Sequence, residues 1–290
     1  MRVCTACDAR HDSGQWTCPA CSASPVIVDG LPSFCRPSAG AVPMSDATYR
    51  RADLMAAEEW HFWFQARRRL VLWAIGRLSD GSGSLLDVGC GTGFILDGVR
   101  SQYPQMALSG CDAEPETLRL ASRRLPGAFL FQAEAARLPF AEEFAVITAL
   151  DVIEHIDDDR DALRAMHLAL RPGGGLVLTV PQHPSLWSPV DDYSHHRRRY
   201  TRSDLVAKVR GAGFELVRCT SCFTATLPMV VASRARRRRR ACDPLAEFRI
   251  PRPINRVLDG VMACEWQVIR WGASLPVGGS LLLMARRTLH

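Results

Sequence analysis

The 290-residue sequence predicts an α/β fold, a mostly parallel sheet with helices on both faces, with a small module ahead of it. Three observations predict it. An apolar strand runs into a glycine-rich turn at Leu85–Gly93, LLDVGCGTG, and then into a helix. Strand-like and helical runs alternate from there to Val180. Two C-x-x-C pairs lie within the first 21 residues, ahead of both.

Composition frames the reading. Apolar residues make up 47% and charged residues 23%, ordinary for a soluble globular chain with room for one large domain and a small module. The start carries Arg2 and two early cysteines instead of an apolar leader, and no apolar run approaches the ~18 residues of a membrane span, so the expected location is cytoplasmic. The net charge is +6, and six arginines fall within Arg234–Arg240. A run this localised differs from the spread basic surface of a nucleic-acid binder. The eleven cysteines are odd in number and four have metal spacing, which favours thiols and thiolates over a disulfide framework.

Cys4-x-x-Cys7 and Cys18-x-x-Cys21 form two knuckles ten residues apart. Each turn offers two thiolates, and four soft ligands suit tetrahedral Zn2+. Few apolar residues lie between the pairs, so the metal would supply the folding energy. The arrangement resembles a zinc ribbon over residues 1–30, with a structural ion because four protein ligands leave no open position. Residues 31–48 contain Pro32, Pro37 and Pro43 and read as a linker, with a short strand at Val26–Val28 before it. A helical stretch from about Tyr49 to Leu78 follows, with apolar residues at Phe64, Leu70, Val71, Trp73, Ala74 and Leu78. Its aromatic cluster, Trp60 to Phe64, suits a core anchor or a cap over a ligand.

In the glycine turn, Gly89, Gly91 and Gly93 let the backbone take positive φ and approach a ligand, while the helix behind presents free N–H groups to an anion. The next strand, Ala107–Cys111, ends at Asp112, placed to bind ribose hydroxyls; Ala113 follows it. A dinucleotide loop would put its third glycine where Phe94 stands. The pattern D-x-G-x-G-x-G from Asp87, together with Asp112, closely resembles the first motif of class I S-adenosylmethionine-dependent methyltransferases. The resemblance implies a Rossmann-like seven-stranded mostly parallel sheet, ending in an antiparallel pair. It also implies S-adenosylmethionine as cofactor, held by Asp87, Gly89, Cys90, Gly91, Gly93, Asp112 and Ala113.

The remaining elements match in order. Pro115 opens a helix to Arg124, and Ala128–Phe131 is the third strand. It leads to Glu134 and Ala135, where the resemblance implies a carboxylate on the adenine amino group, more often Asp. The fourth strand, Phe144–Leu150, runs into Asp151-Val-Ile-Glu-His-Ile156, which resembles the segment beneath the methionine end of the cofactor; Ala145 replaces a usual Asp. Asp157–Asp161 starts a helix to Leu170, as the dipole favours. Arg171-Pro-Gly-Gly-Gly175 then turns into the fifth strand, Leu176–Val180. Asp87, Asp112, Glu134 and Asp151 all fall at carboxyl ends of strands, where ligands bind in such sheets.

Beyond the fifth strand, the prolines between Pro181 and Tyr200 predict a loop without regular structure. It carries His183, Trp187, Asp191, Tyr193, His195 and His196, a polar set expected at the substrate site. Arg197–Arg199 suit an anionic substrate group or the nearby aspartates. Thr201 or Ser203 caps a helix to Gly211, and Phe214–Arg218 is the sixth strand. Cys219 and Cys222 read as an ordinary strand end. Residues 223–276 are an insertion before the last strand, Ser280–Arg286, in a main domain spanning 49–290. The apolar run beside the arginines suits peripheral membrane contact, a substrate lid or a solvated helix end.

Methyl transfer needs no acid for its leaving group, but a hydroxyl or carbon acceptor needs a base. His155 is the first candidate, His195 and His196 the next. The leading expectation is a small-molecule acceptor, apolar or lipid-like, because the Glu-His-Ile segment resembles quinone-pathway and natural-product methyltransferases. An RNA methyltransferase using its ribbon for RNA contact is the alternative, although the fourth motif lacks N/D-P-P-[YF]. A non-catalytic cofactor-binding scaffold is the third reading.

Overall fold

In the structure, a computed structural model, residues 1–12, 14–35, 55–237 and 250–289 are described. A mixed sheet forms the spine. Its strands in chain order are β3 (Val26–Val28), β4 (Leu31–Ser33), β5 (Gly83–Val88), β6 (Met106–Asp112), β7 (Phe129–Gln132), β8 (Phe144–Leu150), β9 (Leu170–Pro181), β10 (Phe214–Cys222) and β11 (Ser280–Arg287). Their spatial order is β10-β11-β9-β8-β5-β6-β7-β4-β3. The five central strands β7, β6, β5, β8 and β9 are parallel, and β10 and β11 close one edge antiparallel, as expected.

The sheet has nine strands where seven were expected. The hairpin β3–β4 adds to β7 through Ser33 beside Gln132, and Phe34 N–H donates to the Gln132 carbonyl at 2.8 Å. The boundary drawn at residue 30 falls in the turn of this hairpin. Its role is edge protection, since β7 would otherwise expose unpaired backbone groups.

Two cores lie on the two faces. On one, α1 (Phe62–Leu78), α2 (Phe94–Gln102), α3 (Pro115–Arg124) and α8 (Arg252–Arg270) cover Leu85, Val146, Val177 and Leu282. On the other, α4 (Asp159–Ala169) and α6 (Arg202–Gly211) cover Leu86, Ile147, Leu176 and Leu283. Successive strand residues point to opposite faces, so central parallel strands must be apolar throughout.

Local chemistry explains the element ends. Asp158 caps α4, accepting from the N–H groups of Arg160 and Asp161. Thr201 caps α6 through Asp204 N–H, and Pro115 sits in the first turn of α3. Arg171 to Gly174 form an irregularity within β9, whose pairing with β8 shifts between Phe144 and Val146.

Three boundaries differ from the sequence reading. The helix expected from Tyr49 breaks ahead of Phe62, because His61 is extended and its Nδ1 accepts from Trp63 N–H at 3.3 Å. Its start at 49–54 lies outside the described residues, as do most of the expected linker and residues 238–249. The segment after β9 is not irregular throughout. Pro184–Leu186 form a short turn and α5 (Pro189–Tyr193) a short helix, each with its proline at the N-terminus, where proline fits. The sixth strand continues to Cys222, paired with β11 except at a bulge between Leu216 and Arg218.

The N-terminal module has its own antiparallel pair, β1 (Arg2–Val3) with β2 (Arg10–His11). It sits against the sheet edge. Trp16 stacks on Phe129 and meets Phe34 and Phe140, and the Arg2 guanidinium lies 4.0 Å from the Trp16 ring centre. Among the described residues, no helix is long and apolar enough to cross a membrane.

Candidate active site

The glycine turn follows β5 directly. Gly89 has φ +67°, and a Cβ there would come within 2.5 Å of Val152 Cγ2, so only glycine lets β5 turn this close to β8. Gly91, at φ +55°, has open space on its Cβ side. Its N–H donates to Asp112 Oδ2 at 3.1 Å, and Glu114 N–H donates to Oδ1 at 3.0 Å. The carboxylate at the end of β6 is thereby fixed against the turn. A carboxylate has about four acceptor positions, so ribose hydroxyls could bind alongside these two donors.

The other expected cofactor residues gather at the same edge. Cys90 N–H donates to the Cys111 carbonyl, locking the turn to β6, and the Cys90 side chain is buried. The Ala113 carbonyl accepts from Gln132 Nε2 at 2.8 Å. Glu134 is exposed just beyond β7, and Ala135 packs partly against the core. Cys35, at the end of β4, lies beside Glu134. Burial and then the Glu134 charge push its thiol up to about 11. Gly93 begins α2 without a side-chain cap. A half-buried backbone turn at a helix N-terminus, flanked by two strand-end carboxylates, fits the adenosyl and carboxylate ends of S-adenosylmethionine.

Asp87 plays a different part. Its side chain is buried and accepts from Thr148 Oγ1 at 2.6 Å. Burial drives its pKa up to about 7, against the opposing pull of Thr148 and Arg67. It braces β5 against β8.

Sequence reading missed the group that holds the glycine turn from outside. Glu58 accepts from Thr92 Oγ1 at 2.6 and 2.8 Å, and Arg124 Nη1 donates to both Glu58 and Thr92. Burial raises the Glu58 pKa, and the bonds from Thr92 and Arg124 oppose it. Residues 34 and 66 positions away from Glu58 meet here, which no local pattern signals.

The other end of this edge opens after β8. Asp151, at φ +54°, accepts from Thr179 Oγ1 at 3.1 Å and pairs with Arg67 Nη2 at 3.1 Å. Arg67 also lies over the ring of Trp63, which stacks on Phe223. The aromatic cluster therefore divides: Phe62 is core, while Trp63 lines this end. Glu154 is fully buried, and among the described residues neither carboxylate oxygen has a hydrogen-bond partner. Burial, and next the Asp151 charge, raise its pKa well above the carboxylate range. The His155 and His196 rings meet edge to face at 4.8 Å; His155 is exposed at the surface, yet the protein packed around its ring and the nearby His196 lower its pKa. His195 is exposed, at φ +55°.

Asp191 organises the loop. Its Oδ1 pairs with Arg199 Nε at 2.7 Å and His196 Nδ1 at 3.0 Å, and its Oδ2 accepts from Ser188. Asp191 and Arg199 are both buried. The arginines thus pair with aspartates: Arg197 with Asp157, Arg198 with Asp159, Arg199 with Asp191. Cys219 and Cys222 are buried thiols at the end of β10.

At the N-terminus, the Cys4 and Cys21 sulfurs are 3.6 Å apart and those of Cys7 and Cys18 are 3.7 Å apart. All four lie within 4.8 Å of one another. Ligands on a tetrahedron with Zn–S near 2.3 Å are about 3.8 Å apart, so the cluster fits zinc.

Known proteins are similar to this chain over the same region. A family profile described as a methyltransferase domain matches residues 49–218. Trans-aconitate 2-methyltransferase of Azoarcus sp. is 29% identical over 133 residues, 46% of this chain and 50% of that protein. Ubiquinone/menaquinone biosynthesis C-methyltransferase UbiE of Desulfotalea psychrophila is 32% identical over 141 residues, 48% and 56% of the two. The chain thus spans about half the length of these curated relatives. Among solved structures, a chain from the complex of the Haloferax volcanii Trm112 methyltransferase activator with a methyltransferase superposes with TM-score 0.57. The two are 16% identical, covering 86% of this chain and 100% of that one. The [4+2]-cyclase SpnF superposes at 0.54 with 22% identity, over 79% and 84%. At such identities the likeness concerns the fold alone, and a fold hosts more than one chemistry.

Proposed function

The chain belongs to the methyltransferase domain family, as a class I S-adenosylmethionine-dependent methyltransferase, and from that premise we propose that it methylates a small-molecule acceptor of apolar or lipid-like character. One observation carries the reading: the glycine turn with its bound Asp112 and the polar cluster Asp151–Glu154–His155–His196 share one edge of the sheet. The cofactor, when bound, supplies a methyl on a sulfonium, whose departure needs no acid.

The chain's own residues do the rest. Asp112 would hold the ribose, Glu134 the adenine amino group, and the N–H groups behind Gly91 and Gly93 the carboxylate. Asp87, Gly89 and Cys90 keep β5, β6 and β8 in register beneath. Asp151, fixed by Arg67 and Thr179, would face the methionine end. Holding two reactants in line can supply on the order of 7–11 kcal/mol of the acceleration. His155 and His196 are the groups beside which an acceptor would lose its proton. His195, exposed beside this pair, is a further candidate to take that proton. Trp63 and Phe223 offer an apolar wall.

Several features support the finer points. Two relatives are named for acting on trans-aconitate and on quinone precursors, both small molecules. Ile254, Val257 and Trp271 on and after α8 are exposed, Trp271 by 81%, which suits contact with a membrane surface that stores apolar acceptors. The Cys4, Cys7, Cys18 and Cys21 cluster would hold a structural Zn2+ that folds the ribbon. The free thiols suit a reducing compartment such as the cytoplasm.

Transfer of labelled methyl from S-adenosylmethionine to fractions of a cell extract tests the proposal, with Asp112→Ala as control. Label in the small-molecule or lipid fraction is expected. Label confined to RNA would replace the acceptor reading and recast the ribbon as an RNA contact. Cofactor binding with no transfer to any fraction would point to a scaffold.

A further inference from the structure

We propose that Glu154, His155 and His196 form a binding site for a divalent first-row transition cation at the acceptor end of the site. The inference rests on the reading above only in taking this edge as the acceptor side. Three donor atoms, a carboxylate oxygen and two imidazole nitrogens, lie within 4.8 Å of one another. Ligands about 2.1 Å from a common ion are at most about 4.2 Å apart, so shifts of a few tenths of an ångström close the set.

The independent observation is Glu154. It has no solvent exposure, both oxygens lack a hydrogen-bond partner among the described residues, and its carboxylate points into the cluster. A buried polar group without partners is costly, and such groups in folded proteins are usually satisfied by something. Arg67 and Arg199 lie near enough to act on its charge, yet neither donates to it. A cation would satisfy both oxygens.

The surroundings are those of metal-binding histidines. His196 Nδ1 faces the Asp191 carboxylate at 3.0 Å, and an ionised carboxylate only accepts. The proton therefore sits on Nδ1 and leaves the Nε2 lone pair for the ion. A carboxylate or carbonyl behind the imidazole is the usual arrangement around a metal.

Two imidazoles and one carboxylate leave coordination positions open, as in catalytic zinc and non-haem iron sites. The ion would take a hydroxyl of the acceptor there and lower that hydroxyl's pKa toward neutrality. The hydroxyl proton passes to bulk water. The oxygen then forms its bond to the methyl carbon as the carbon–sulfur bond breaks, its electron pair staying on sulfur. With the ion in place, His155 and His196 act as ligands and not as bases.

The test titrates Mn2+ into the full-length, zinc-loaded protein and follows the free-ion signal by electron paramagnetic resonance. Mn2+ prefers oxygen and imidazole ligands and does not compete for the four-thiolate cluster. One site per chain is expected, weakened at least about thirty-fold by Glu154→Gln and by His196→Ala, and retained by His195→Ala. Binding of S-adenosylhomocysteine by each variant reports that it is folded. Absence of a Mn2+ site in the wild type, or equal affinity in both ligand variants, would overturn the proposal. The outcomes separate from those of the functional reading. Methyl transfer without a cation site leaves that reading intact, whereas a cation site without transfer to any fraction leaves only this one.

Discussion

The two halves of the sheet edge are built by different means. In the half formed by β5, β6 and β7, backbone does most of the work: Gly91 N–H meets Asp112, Cys90 N–H meets Cys111, and the participants lie within about one strand–helix–strand unit. In the half beyond β8, side chains from distant segments converge. Arg67 reaches Asp151, Asp191 gathers Arg199 and His196, and Tyr200 O–H donates to Asp159 at 2.7 Å. The difference teaches that one half is fixed mainly by chain geometry, with the Glu58–Arg124 clasp added to its glycine turn from outside, and tolerates loss of its strand-end side chains. The other is fixed by buried charge pairs and does not.

The largest effect should come from Arg199→Met, which leaves Asp191 buried without its main cation. A loss of about 3–5 kcal/mol in unfolding free energy is expected in urea titration. A change below about 1 kcal/mol would erase the contrast between the halves. Asp112→Ala should do the reverse. It is expected to weaken S-adenosylhomocysteine binding about 100-fold in calorimetry, about 2.7 kcal/mol, while unfolding shifts by under about 1 kcal/mol. Large destabilisation in that variant would show that the cofactor half also depends on its side chains.

Asp87 sharpens the comparison through pH. Its pKa rises to about 7 in the fold, so between about pH 4 and pH 7 the folded state holds a proton that the unfolded chain has lost. This contribution is present below pH 4 and is lost as pH rises through 7. The slope is at most about 1.4 kcal/mol per pH unit. Asp87→Asn should flatten that part of the stability profile, and an unchanged slope would assign the dependence elsewhere. The smallest effect is expected for Cys222→Ala. It should cost about 1 kcal/mol and leave cofactor affinity unaltered; any change in bound metal would contradict the strand-end reading.

The legibility of the two halves follows the same division. Asp87, the glycines and Asp112 could be read because each obeys a local rule: a strand end, a positive-φ turn, the end of the next strand. Glu134 was placed by position alone, and it stands beyond β7 next to Cys35, a neighbour supplied by the added hairpin. His155 and His196 were named singly, but nothing in their 41-residue separation announced that their rings touch. Glu154 was read only as part of the Asp151–Ile156 segment and given no role of its own. Its importance lies in having no hydrogen-bond partner among the described residues, a property of packing. Glu58, Arg67 and Asp191 had no motif at all. The aromatic cluster could not be divided into core and site residues until Phe223 came to rest on Trp63.

By itself the sequence determined the α/β alternation, the glycine turn and the spacing of the four cysteines, while the antiparallel closing pair was implied only by the family resemblance. The first three depend on apolar periodicity, glycine's backbone freedom and ligand spacing, all of which act over a few residues. Tertiary structure alone decided that β3–β4 extends the sheet, that Glu58 and Arg124 clasp Thr92, and that Glu154, His155 and His196 share one pocket of donors. Those outcomes depend on which side chains are desolvated together. Burial multiplies the energy of a charge or a missing hydrogen bond, and only the folded chain says what is buried beside what.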